Sequence, residues 1–271
     1  MRLGGPIFDR WSTPDEWVAA HARAGYRAAH CPVDETADEK TVRAFSDAAA
    51  AADLVLAEVG AWSNPISVDA DEARKAIALT QARLDLAERI GARCCVNISG
   101  SRHPGKWDGP HPDNYSAATF NLIVETTRRI IDAVKPKRTF YTLECMYWAP
   151  PDSAESQDRL IRAVDRRAFG VHFDPVNMIN SAERFADTGR FIRDFVRRFG
   201  NLIRSCHAKD VAMSDEPIVH LTEVGPGLGG LDYRAYLDAL AGLDPDTPLM
   251  LEHLKTESEY AAGAAHIRGL M

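Results

Sequence analysis

The sequence predicts a single-domain (β/α)8 barrel over residues 1–271. Three observations predict it. Eight short apolar runs rich in β-branched residues alternate with eight helical stretches along the chain. Strands without a polar face must be covered on both sides, and alternation with helices does this in a parallel sheet. The length of 271 residues suits eight such units. The rival, an open doubly wound sheet, ordinarily carries a glycine-rich phosphate turn after its first strand. Here Gly4-Gly5 lies in the strand itself and no GxGxxG follows.

The elements read in order as follows. Leu3 to Phe8 is the first apolar run. Thr13-Pro14-Asp15-Glu16 starts a helix, with an N-cap hydroxyl, proline at the first helical position and acids in the first turn. It runs to about Ala24, where Gly25 stops it. Arg27 to Val33 is the second run, Asp38 to Ala52 a helix and Leu54 to Gly60 the third run. The helix from Asp69 to Ile90 is closed by Gly91, and Arg93 to Gly100 is the fourth run. The loop from Ser101 to about Asp113 is rich in proline and glycine and has no helical period, which marks it as functional or disordered. A helix over Ser116 to Val134 precedes the fifth strand, Thr139 to Cys145. A helix over Ser156 to Arg166 precedes the sixth, Gly170 to Asp174. A helix over Thr188 to Phe199 precedes the seventh, Ile203 to Lys209. A loop containing GPGLGG leads to a helix over Asp232 to Ala241. Leu249 to Leu254 is the eighth strand and Glu257 to Met271 the last helix.

Composition narrows the function classes. The formal charge of −7 argues against a nucleic-acid partner, which calls for a basic face. No apolar run approaches the length of a membrane span, and MRLGGPIFDRW lacks the apolar core of a signal peptide. The five cysteines are odd in number, fall in strand-like runs and have no zinc-finger spacing, so they read as reduced residues of a cytoplasmic protein.

The chemistry is read from the ends of strands five to eight. FYTLEC carries Glu144, FGVHFDPVN carries Asp174, IRSCHAKD carries His207 and PLMLEHL carries Glu252. A carboxylate on an apolar strand is costly to bury without a partner. In this fold the C-terminal strand ends form the site, and strands about 4.8 Å apart let such side chains converge. One divalent metal ion is the simplest shared partner. Three carboxylates and one imidazole suit Mn2+ first, with Mg2+, Co2+ or Zn2+ as alternatives. Each acid taken alone reads equally as a loop-entry residue or a helix cap. His172 faces the same way as Asp174 but one layer deeper, either as a satisfied core histidine or as a partner to the ligands. His253 is expected to point away from the metal in a structural role, and Cys145 and Cys206 to point into the strand–helix layer.

ECMYW at Glu144, HFDPVN at Asp174, CHAKD at His207, VGPGLGGLDY and LEH at Glu252 resemble the sugar phosphate isomerase/epimerase family, the xylose isomerase-like barrels. The resemblance spans essentially the whole chain, with its motifs in the second half. It implies one Mn2+ held by Glu144, Asp174, His207 and Glu252, with the two glutamates also acting as the acid/base pair. A metal on the carbonyl and neighbouring hydroxyl oxygens stabilises an enediolate, one glutamate removes the proton and the other returns one on the opposite face. The resemblance also implies relatives that act as inosose dehydratases or as lyases on 3-oxo-glycosides by β-elimination. The chain departs from the ketose-epimerase pattern at Asn177 and Ser205, where histidines are frequent, and at Val211-Ala212-Met213, where an arginine is frequent.

Trp11, Trp62, Trp107 and Trp148 follow strands and supply aromatic faces suited to the C–H face of a sugar, or else plug the barrel mouth. His103 and His111 on the long loop, Asn177 and Lys209 complete the candidate substrate-binding set. The absence of a phosphate-binding loop or a clustered basic site favours an unphosphorylated sugar. Two other readings are a non-catalytic metal-retaining sugar-binding or partner subunit and an abasic-site endonuclease. The nuclease would need more ligands on the first four strand ends, where Glu58 is the only acid on the third strand. A homo-oligomer is left open.

Overall fold

The structure is a computed structural model that describes residues 1–271. Eight strands close into a parallel barrel in the order β1 (Arg2–Gly4), β10 (Pro248–Leu251), β7 (Ile203–Ala208), β6 (Phe169–Phe173), β5 (Phe140–Glu144), β4 (Cys94–Asn97), β3 (Val55–Gly60) and β2 (Ala28–His30). Between them run α1 (Pro14–Ala24), α2 (Glu39–Ala51), α3 (Ala70–Ile90), α4 (Ala117–Val134), α5 (Ala154–Val164), α6 (Pro175–Met178), α7 (Ala182–Ala186), α8 (Thr188–Phe199) and α9 (Tyr233–Ala241). The last helix, α10 (Glu257–Leu270), closes the chain. No helix is long and apolar enough to cross a membrane.

The helix boundaries follow local chemistry. Thr13 caps α1 through a capping box with Glu16, and Gly25 ends it in the left-handed region. Helix α5 starts before the predicted Ser156, because Ser153 caps it. It ends at Val164, with Asp165 left-handed. The first strand stops at Gly4 rather than Phe8, since only Arg2 to Gly4 find ladder partners on β10. A Cβ on Gly4 would overlap the Ala28 carbonyl across the ladder, so close strand approach demands glycine here.

By contacts the chain falls into two compact units. The first comprises Met1–His30, Asp47–Ala57 and Phe173–Met271, and the second Cys31–Ser46 and Glu58–His172. Strands β3 and β6 each contribute residues to both.

Within the first unit, Ala28, Ala57 and Met250 form a fully buried cluster. Phe173 stacks on Phe195 of α8 with ring centroids 4.3 Å apart. The buried Tyr236 hydroxyl donates to the His207 carbonyl at 3.1 Å, tying α9 to β7. After β7 the chain makes an antiparallel hairpin, β8 (Asp210–Met213) and β9 (Leu221–Val224), where the sequence predicts only a loop. Its apolar alternation is weak because most of β9 is solvated.

Asp210 anchors this hairpin. Its carboxylate, 1% exposed, accepts from the backbone N–H groups of Val211 (2.8 Å), Gly227 (3.0 Å), Gly229 (3.1 Å) and Leu231 (2.8 Å). The chain thus wraps the GPGLGG segment around one buried charge. A Cβ on Gly229 would overlap the Val211 carbonyl, which leaves room only for glycine.

Within the second unit, the loop after β4 is pinned rather than loose. The Asn114 side chain accepts from Arg102 N–H at 2.7 Å and donates to the Trp148 carbonyl at 3.0 Å. Asn64 donates to the Ser101 carbonyl at 2.8 Å. The loop ends in a 3-10 turn, Pro112–Tyr115, which the sequence does not predict.

Asp210→Ala strips the acceptor from four backbone donors. Each charge-assisted bond is worth about 1.5–3 kcal/mol and orphaned buried donors add their own cost, so a loss of about 3 kcal/mol or more is expected. Urea unfolding followed by circular dichroism measures it. A loss below about 1 kcal/mol would refute the anchoring role.

Candidate metal centre

Asp174 directly follows β6, and Pro175 turns the chain into α6. Its Oδ1 accepts from the N–H groups of Val176 (3.0 Å) and Asn177 (3.3 Å), so it caps that helix. Its Oδ2 is left to point elsewhere. The cap reading and the ligand reading of this residue therefore concern different oxygens.

In the first unit, Oδ2 of Asp174 lies 2.8 Å from Lys209 Nζ and 3.5 Å from His207 Nδ1. Glu252, one residue beyond β10, places Oε2 2.8 Å from Lys209 Nζ and 2.9 Å from His207 Nδ1. Asp174, His207 and Lys209 are 0–1% exposed. Neither Asp174 Oδ2 nor Glu252 Oε2 accepts a hydrogen bond of good geometry, despite the short distances to the ammonium. Two buried anionic oxygens thus converge on the Lys209 ammonium beside an imidazole. In the second unit, Glu144 is the last residue of β5 and 2% exposed. Within the first unit, the ligand atoms of Asp174, His207 and Glu252 all lie within 4.8 Å of one another.

The electrostatics agree with ionised acids. Burial pushes the Asp174 carboxyl up, but the Lys209 ammonium and the His207 ring bring it well below the usual carboxylate range. Burial likewise raises Glu252, and His207, Lys209 and His253 outweigh it and hold the carboxyl low.

Further polar residues surround these ligand candidates. Glu223 on β9 lies with one oxygen 3.7 Å from Lys209 Nζ and the other 3.0 Å from His253 Nδ1. His253 is not turned away from the cluster, since its Nε2 is 3.6 Å from Glu252 Oε1. It is 56% exposed in its side chain and has φ of 59°, an uncommon left-handed backbone for a non-glycine residue. The Glu223 hydrogen bond raises its pKa. In the second unit, buried Glu58 and His172 hydrogen-bond at 3.0 Å, so His172 is partnered below the rim rather than merely packed. The Ser205 hydroxyl is buried without a hydrogen-bond partner. Glu223 carried no sequence signal because its hairpin was not legible. Glu58 was visible as a lone acid in an apolar run.

The remaining candidates occupy varied positions. Asn177 is half-buried at the start of α6. Trp11 and Trp148 are half-buried, and the buried Trp148 indole N–H has no hydrogen-bond partner. Trp62 packs its indole over Gly60, and Trp107 lines an open groove of about 510 Å³ with Ser63, Asn64 and Lys75. His103 Nδ1 accepts from Gly105 N–H (3.0 Å) and His111 Nδ1 from Asp113 N–H (3.3 Å), with the two rings 6.0 Å apart. Both histidines thus serve their own loop through one ring nitrogen. Cys145 Sγ faces Gln157 of α5 at 3.8 Å, in the strand–helix layer.

Residues 18–270 match the family model described as xylose isomerase-like TIM barrel. No curated protein matches the sequence. Among solved structures, endonuclease IV from Thermus thermophilus superposes with a TM-score of 0.75 at 15% identity, covering 100% of this chain and 98% of that one. The probable 3-DHS dehydratase AsbF from Bacillus anthracis gives 0.71 at 16% identity, covering 99% and 97%. D-psicose 3-epimerase from Clostridium cellulolyticum, solved with D-tagatose, gives 0.68 at 15% identity, covering 100% and 99%. At these identities the likeness establishes the fold.

Lys209→Met leaves two buried carboxylates without their ammonium, and breaking a buried pair costs about 3–5 kcal/mol. Urea unfolding in chelator at pH 7 should show a loss of that order. The depressed acids of the unaltered protein contribute stability above the ordinary carboxylate pKa and lose it as pH falls, so its urea midpoint should drop below about pH 5. The variant should show a flatter acid limb. Equal midpoints at pH 7 would refute the pairing.

Proposed function

The chain belongs to the xylose isomerase-like TIM barrel family, and on that premise we propose that it is a divalent-metal-dependent sugar isomerase or epimerase acting on a keto-sugar. The observation that carries the reading is the convergence of Asp174 Oδ2, Glu252 Oε2 and His207 Nδ1 within the first unit, to which the reading adds Glu144 at the end of β5. A buried set of three carboxylates and one imidazole fits a hard or borderline divalent ion. Glu144, Asp174, His207 and Glu252 would hold the ion, with Mn2+ the first candidate and Mg2+, Co2+ and Zn2+ the alternatives. When bound, the ion supplies the positive charge that stabilises an oxyanion next to the acidified carbon.

The chain's own residues do the rest. Glu144 and Glu252 come from strand ends on different elements, so one can take the proton from the carbon beside the carbonyl and the other can return one. Asp174, held by its cap bonds, stays an anionic ligand. Lys209 presents its ammonium to a substrate oxygen. The Trp148 indole N–H offers a donor to a hydroxyl, and Trp11, Trp62 and Trp107 offer rings. Asn177, His103 and His111 complete the proposed substrate shell. The partner is a small neutral sugar, in keeping with the acidic net charge.

Metal analysis of purified protein by mass spectrometry should find about one divalent ion per chain, lost in His207→Ala. About three ions per chain would favour a nuclease, and none after reconstitution would refute the proposal. With keto-sugars in deuterated water, the protein should catalyse exchange at the carbon beside the carbonyl. Glu144→Gln and Glu252→Gln should each slow it by about 10²–10⁴. Undiminished exchange in both would exclude them as the acid/base pair.

A further inference from the structure

Beside Glu252 the first unit contains a second cavity, of about 310 Å³, between the β9–α9 loop and α10. Its wall toward the cluster is made of Glu223 and His253, which hydrogen-bond each other at 3.0 Å. The same two side chains reach Lys209 (3.7 Å) and Glu252 (3.6 Å) on their other sides. The cavity is therefore one side chain away from a proposed acid/base residue. No step assigned to Glu144, Asp174, His207 or Lys209 uses it.

Its lining states what it would take. Glu223, His253 and Lys255 are polar, and Val224, Leu228 and Leu254 are apolar. Glu259, also on the wall, has its carboxylate engaged by the N–H groups of Lys255 (2.6 Å) and Thr256 (3.1 Å). Two carboxylates against one lysine disfavour an anion. A carboxylate and an imidazole can bind hydroxyls, while leucine and valine side chains suit a C–H face. The volume holds about ten waters, the scale of one pyranose ring. The left-handed backbone at His253 turns its ring onto Glu223, and such strain is concentrated where geometry serves function.

We propose that this cavity is a subsite for a neutral, polyhydroxylated ring carried by the substrate beyond its reacting keto-sugar. This rests on the proposed function, and it makes the preferred substrate a two-ring compound rather than a free monosaccharide.

The test is binding, so it does not depend on turnover. Saturation-transfer NMR is run with methyl glucopyranoside and maltose as probes, and glucose 6-phosphate as the anionic competitor. Ala262 is exposed on the cavity wall, so Ala262→Phe fills the space without touching the core. Leu228→Ser is the second variant, at a residue 76% exposed. The ring signals should appear with the unaltered protein and fall about tenfold in Ala262→Phe, more modestly in Leu228→Ser, with unchanged circular dichroism. His207→Ala should keep the signal. No binding at millimolar probe, undiminished signals in both cavity variants, loss of the signal in His207→Ala, or displacement by glucose 6-phosphate but not by maltose would each overturn the subsite. Binding that persists where proton exchange is absent would overturn the proposed function alone.

Discussion

Everything at the rim depends on keeping Asp174 and Glu252 ionised out of water. Burial alone would neutralise them, and the Lys209 ammonium and the His207 ring reverse that penalty. Those two residues are in turn fixed by buried tyrosines. Tyr233 donates to the Lys209 carbonyl at 2.7 Å and Tyr236 to the His207 carbonyl at 3.1 Å. The helix α9 that carries them is set by the loop wrapped around Asp210. One electrostatic requirement thus extends through β7, the hairpin and α9.

The same economy appears in how single residues serve two ends. Asp174 gives one oxygen to a helix cap and one to the cluster. Glu223 divides its two oxygens between Lys209 and His253. Such division fixes rotamers, because a carboxylate held by one oxygen has little freedom to move the other. A site built this way is preorganised by backbone bonds that exist whatever occupies it.

Much of this was legible in the chain. The eight strand–helix units could be counted because strands buried on both faces are continuous apolar runs, and Glu144, Asp174, His207 and Glu252 stood out as polar residues at their ends. Caps such as Thr13 and Gly25 could be placed for the same local reason. The hairpin β8–β9 could not, because its solvated strands lack alternation and their pairing is a non-local choice. The helix start at Ser153 was displaced because two serines compete for one cap. His253 does not follow strand periodicity, because two residues past Leu251 the backbone turns left-handed.

The sequence by itself determined the barrel, since hydrophobic period and capping are local properties that act on neighbours along the chain. It also determined the chemical character of the rim, because an acid in an apolar run demands a partner wherever the run folds. Only the tertiary structure decided which oxygens of Asp174 and Glu252 face the centre, that Lys209 lies against both, and that Glu223 and His253 separate the cluster from a second cavity. Those are matters of direction and distance between segments far apart in sequence, which closure of the sheet and burial around Asp210 set together.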